Sequence, residues 1–190
     1  MAGMDQALRN VIPTKLLWVD LEMTGLDVQN DVIIEVAAEV TDFNFTTLAS
    51  YDACIKRTEA ELSRMDEWNK TQHSSSGLLD RMKSEGRSED EVKHELVGFI
   101  NGQFNKMPAI LAGNSIHNDR NFITRWWPEV DALLHYRMLD VSSLKIIMQA
   151  KYGVMFEKKE VHRAFDDIQA SIAELQHYLE WLTKQQDSNA

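Results

Sequence analysis

Leu16-Leu17-Trp18-Val19-Asp20-Leu21-Glu22 is an apolar run that ends in two acids one residue apart. A run of this kind reads as a strand buried within a sheet. Residues i and i+2 of a strand share a face, so Asp20 and Glu22 emerge side by side at its end. Two like charges drawn together out of water raise each other's pKa unless a cation lies between them. A divalent ion that takes oxygen ligands, Mg²⁺ or Mn²⁺, meets that need. Alone, an Asp-x-Glu triplet is a weak signal, and a solvated strand end accounts for it more readily.

Outward from this stretch, two more β-type runs follow at Val32–Val40 and Leu48–Ile55. Turn material separates them, Thr24-Gly25-Leu26-Asp27 and Asp42-Phe43-Asn44. The region 57–87 is polar and reads as short helices and loops. Ser88 and Glu91 form a capping box for a helix reaching about Phe104. Ile110–Asn114 reads as a short strand running into a helix from His117 to Trp127, closed by Pro128. A strand near Tyr136–Val141 leads into a helix through Lys151. In the last helix Phe165, Ile168, Ile172, Leu175, Leu179 and Leu182 keep helical spacing. Three strands followed by strand–helix alternation predict an α/β domain, a mixed sheet with helices on its faces. The expected boundaries are an extension over 1–14, one domain over 15–184 and a polar tail over 185–190.

The chain's 190 residues suit a single domain with its own core. Its one cysteine, Cys54, excludes an internal disulfide framework and a thiolate zinc site, and suits a reducing compartment. No apolar run approaches 18 residues, so no transmembrane helix is expected. The first 14 residues carry no signal-peptide core. The expected location is the cytoplasm, or the mitochondrion should a transit peptide precede this sequence. A net charge of −10 argues against a grip on long nucleic acid through a basic track. It leaves room for a small phosphorylated substrate held through metals and a few local cations.

Two further acidic sites stand where elements begin. Asp119 follows Gly113-Asn114-Ser115-Ile116-His117-Asn118, in the first turn of a helix, where a carboxylate also serves the helix dipole. Asp166 and Asp167 enter the final helix behind His162, which precedes that helix's apolar stripe. Together Asp20, Glu22, Asp119, Asp167 and His162 make four carboxylates and one imidazole. That inventory suits two-metal phosphodiester hydrolysis, with a histidine near its ordinary pKa as base.

The order Asp-x-Glu, Asp, His-x₄-Asp resembles the DEDDh 3′→5′ exonucleases, which have an RNase H-like fold. The resemblance runs from about Leu16 to Leu182 and is carried also by Met65-Asp-Glu-Trp68, Gly113-Asn-Ser115, His135-Tyr-Arg-Met-Leu-Asp-Val-Ser-Ser143 and His162-Arg-Ala-Phe-Asp-Asp-Ile168. It is closest to the members that degrade very short RNA. It implies that Asp20, Glu22, Asp119 and Asp167 bind two Mg²⁺ or Mn²⁺ ions and that His162 is the general base. It further implies that Leu26 wedges against the terminal bases and Trp68 stacks on one. Ser115, Arg137 and Ser142 would cap the 5′ phosphate of a dinucleotide, with Tyr136 supplied by the other subunit of a homodimer. Ser143 stands where Thr is more usual, and the segment Tyr152–Glu160 matches least. Two rivals remain at this stage: an exonuclease of longer RNA or DNA, and an inactive RNA-binding protein that keeps the fold.

Overall fold

In the computed structural model, which describes residues 12–157 and 163–187, the Asp-x-Glu strand lies at the centre of a five-stranded sheet. This strand, β1 (Lys15–Met23), pairs antiparallel with β2 (Ile33–Asp42), which pairs in turn with β3 (Thr47–Cys54). On its other side β1 runs parallel to β4 (Ala109–Gly113), and β4 to β5 (Leu134–Asp140). The order β3-β2-β1-β4-β5 is the mixed sheet that the pattern predicts.

The alternation of β1 assigns each face a core. Leu17, Val19 and Leu21 pack with Val92, Leu96 and Ile100 of α4 (Glu89–Phe104) and with Phe122 and Ile123 of α5 (His117–Trp126). A four-residue α6 (Pro128–Asp131) follows α5. Leu16 and Trp18 face the other way, onto Met148 of α7 (Val141–Tyr152) and Ile168, Ile172 and Leu175 of α8 (Ala164–Asp187). Asp20 and Glu22 continue this second, even-numbered face, so the sheet presents them towards α8. Trp18 is fully buried and its indole N–H donates to Thr41 Oγ1 at 2.9 Å, which satisfies the polar tip of the core's largest side chain.

The polar region 57–87 forms three helices, α1 (Glu59–Leu62), α2 (Glu67–Ser75) and α3 (Leu78–Glu85). They cover a small third core made by Ile34, Cys54, Met65, Leu78 and Met82. Cys54 is buried there, and burial pushes its thiol up to about 12, so it is an inert core residue. The Ser88–Glu91 capping box opens α4 as expected.

The final helix departs from its expected stripe at two positions. Phe165 and Leu179 are exposed, while Ala164, Ile168, Ser171, Ile172, Glu174, Leu175 and Tyr178 are buried. Phe165 lies about 100° round the helix from the buried Ala164, at the edge of the arc that meets the sheet. Among the described residues no helix is long and apolar enough to cross a membrane.

Candidate active site

Carboxylate oxygens of Asp20, Glu22 and Asp167 all lie within 4.8 Å of one another. The first two leave the end of β1, and the third sits in the first turn of α8. Asp167 joins them while its neighbour Asp166 is exposed. The donors are all partly buried carboxylates, with no thiolate among them. Hard oxygen ligands of net negative charge fit a divalent ion of the Mg²⁺ or Mn²⁺ kind.

Asp119 sits beside this group rather than within it. β4 pairs with β1 only as far as Trp18, and past its end the Leu21 N–H donates to Asp119 Oδ1 at 2.9 Å. Asp119 is thereby anchored to the backbone of the residue that separates the two β1 acids. It is 7% exposed, and burial pushes its carboxyl up to about 7, against the lowering effect of the Leu21 and Asp119 N–H groups. The Asp140 charge adds to the rise.

The loop beyond β1 is closed by Asp31. Thr24 Oγ1 donates to Asp31 Oδ1 at 2.9 Å and the Asp27 N–H to Asp31 Oδ2 at 2.8 Å. A Cβ at position 25 would stand 2.4 Å from that carboxylate, so any other residue would push Asp31 from the hydrogen bonds that close the loop. The closed loop carries Leu26 outward, 75% exposed. Trp68, in α2, is 63% exposed. Large apolar side chains held this far into water are what a base-stacking site needs.

Sequence reasoning missed His73. It is buried in α2, and its Nε2–H donates to the Met23 carbonyl at 2.9 Å, with Nδ1 3.9 Å from Glu22 Oε2. It pins the helix that bears Trp68 onto the end of β1. A single histidine in a polar nine-residue helix gives no pattern by which to find it.

Ser115 and Ser142 come together, Oγ to Oγ 3.2 Å. Ser115 has φ +50°, a left-handed conformation that costs a non-glycine residue about 1–2 kcal/mol. Its N–H donates to both Asp140 Oδ1 and Ser142 Oγ at 3.0 Å, which holds it there. Arg137 is not brought to the serines. Its guanidinium lies 5.3 Å over the ring of Tyr136, and it lines a cavity of about 320 Å³ with Lys15, Gln103, Ile110 and His135, a lining that includes neither serine. Tyr136 is exposed on β5, at the sheet edge. His162 lies outside the described residues, as do Lys158 and Lys159.

The exonuclease family model RNase T matches residues 17–175. Over 173 residues the chain is 41% identical to an oligoribonuclease of Klebsiella pneumoniae, covering 89% of this chain and 96% of that one. With an oligoribonuclease of Pseudomonas aeruginosa it shares 42% identity over 177 residues, 90% and 98% of the two chains. The chain belongs to the oligoribonuclease group of the exonuclease family. It is accordingly an enzyme, a hydrolase of the 3′→5′ exoribonuclease kind. The fold agrees with exonuclease I of Escherichia coli bound to a dT13 oligonucleotide, at a TM-score of 0.61 and 14% identity over 86% of this chain. Exonuclease I of Methylocaldum szegediense matches at a TM-score of 0.60 and 16% identity over 88% of this chain. The chain spans about two fifths of those longer proteins, and the likeness establishes the RNase H-like exonuclease architecture.

Proposed function

We propose that this member of the family hydrolyses very short RNA, dinucleotides in particular, from the 3′ end to 5′-mononucleotides. The observation that carries the reading is the convergence of Asp20, Glu22 and Asp167 at the mouth of the sheet. Beside them stand two outward apolar side chains and a serine pair, features suited to terminal bases and to a phosphate. Asp20, Glu22 and Asp167, with Asp119 beside them, would hold two divalent ions. Bound there, such ions supply charge stabilisation at the attacked phosphate.

The chain's own residues supply the rest. Leu26 and Trp68 seat and separate the terminal bases, contacts that every base can make because each has an apolar face. Ser115 and Ser142 receive the 5′ phosphate, and Arg137, which lies apart from the serines, would add a planar fork of N–H donors on swinging away from Tyr136 towards that phosphate. His162 is the base that takes a proton from the attacking water, a role that contributes about 10²–10⁴ in rate. A cap at the far end of a two-nucleotide substrate obstructs longer RNA, in keeping with a net charge of −10 and its lack of a basic track.

The working unit in this reading is a homodimer located in the cytoplasm. Tyr136 and Met138 on the edge strand β5, with Ile146 and Ile147 of α7, are exposed apolar side chains suited to burial against a second copy. The second copy's Tyr136 would then complete the site.

The test is the initial rate on 5′-phosphorylated RNA of two against seven nucleotides, with Mg²⁺ and with EDTA. Fast, metal-dependent cleavage of the dimer and much slower cleavage of the heptamer is the expected result. Comparable rates would leave a metal-dependent exonuclease without the dinucleotide preference. No cleavage of either, with Mg²⁺ or Mn²⁺, would end the enzymatic reading.

A further inference from the structure

Ser115 and Ser142 are held by residues that lie behind them. Asn114 Nδ2 donates to Ser171 Oγ at 3.0 Å and to Glu174 Oε2 at 3.1 Å, while Asn114 Oδ1 accepts from Ser142 Oγ at 3.2 Å. A carboxylate offers Asn114 only acceptors, so Glu174 dictates which way that amide faces. Glu174 is wholly buried. Its second oxygen accepts from the Tyr178 hydroxyl at 2.8 Å and lies 3.4 Å from Lys145 Nζ. Ser171 donates to the Asp167 backbone carbonyl at 2.9 Å, one turn back on the helix that carries both residues.

We propose that Asn114, oriented by Glu174, is a positioning residue that fixes the serine pair relative to Asp167 and so sets the preference for a 5′-phosphorylated end. The proposal rests on the reading of Ser115 and Ser142 as the phosphate site. The direction of the hydroxyl protons carries it. Ser142 gives its only proton to Asn114 Oδ1, so its Oγ acts as an acceptor towards the Ser115 N–H. The contact of 3.2 Å between the hydroxyls then has Ser115 as donor, and an arriving phosphate is met by turning the Ser115 O–H away from Ser142 while the Ser142 proton stays on Asn114. A reversed or missing amide at position 114 would release Ser142 and leave both hydroxyls without a set direction. Asp167, Ser171, Glu174 and Tyr178 recur along one face of α8, a stiff helix of 24 residues, so the spacing between acids and serines is fixed by a rigid element.

The experiment compares kcat/KM on RNA dinucleotides with a 5′ phosphate and with a 5′ hydroxyl, for Asn114→Ala, Glu174→Gln and Ser142→Ala, with thermal melts of each. Glu174→Gln keeps the side-chain volume, so it tests orientation in a chain that still folds. In Asn114→Ala and Glu174→Gln the phosphate-to-hydroxyl ratio should fall about tenfold, mainly through KM on the phosphorylated substrate, the size expected for one misdirected hydrogen bond. An unchanged ratio in both variants, or equal losses on both substrates, would overturn the proposal if Ser142→Ala itself lowers the ratio. If Ser142→Ala leaves the ratio as it is, the phosphate reading of the serines has failed instead.

Discussion

The backbone N–H of Leu21 donates to the carboxylate of Asp119, 98 positions further along the chain. This bond ties a buried acid from α5 to the backbone of the residue that separates the two acids of β1, and the burial of that acid sets up an expected pH dependence. An ordinary aspartate titrates near 3.9 and burial pushes Asp119 up to about 7, so between those values the folded protein binds the extra proton. In EDTA the contribution of Asp119 to stability should therefore decline as pH rises from about 4 to 7. Melting wild type and Asp119→Asn across this range should show the decline reduced in the variant. Parallel curves would count against Asp119 as its source.

Replacing Trp68 should separate binding from folding. The side chain is 63% exposed, so Trp68→Ala should leave the melting temperature almost unchanged. Loss of base stacking should weaken substrate binding by about 1–3 kcal/mol, read as a raised KM. A normal KM would remove Trp68 from the substrate site.

The indole of Trp18 makes the opposite case. Thr41→Val keeps the shape of the core but removes the acceptor of the Trp18 N–H. A buried donor left without a partner costs about 1–3 kcal/mol. At roughly 2–4 °C per kcal/mol for a chain of this size, calorimetry should resolve the loss.

Arg137 lines a cavity separate from the serine pair, and its role is best tested by substrate choice. Arg137→Ala should harm cleavage of a 5′-phosphorylated dinucleotide far more than that of a 5′-hydroxyl one. Arg137→Lys should restore little, because it keeps the charge and loses the planar fork. Equal losses on both substrates would refute a phosphate contact.

Much of this arrangement is legible in the sequence, for identifiable reasons. β1 and β2 are apolar enough to announce buried strands, and the Ser88–Glu91 box marks the start of α4. Asp20, Glu22 and Asp167 stand in a spaced motif, so their convergence can be anticipated. The helices α1–α3 are legible only as short helices without bounds, because they bury little beyond Leu78 and Met82 around a neighbouring Met65. His73 has no motif, and its role depends on how α2 docks on β1. Glu174 interrupts the apolar stripe of α8 with a charge, and only the tertiary structure reveals its partners, Asn114, Tyr178 and Lys145. Phe165 and Leu179 show the converse, apolar residues whose spacing suits the stripe but which the structure leaves exposed.

The separation in sequence between Asp20 and Asp167 bears on how the acidic group is assembled. All five strands are encoded before residue 141, whereas the third acid arrives with the last helix. The three acids therefore come together only where α8 docks on the sheet, so the group depends on the last helix of the described residues as much as on the strand that carries its first two members.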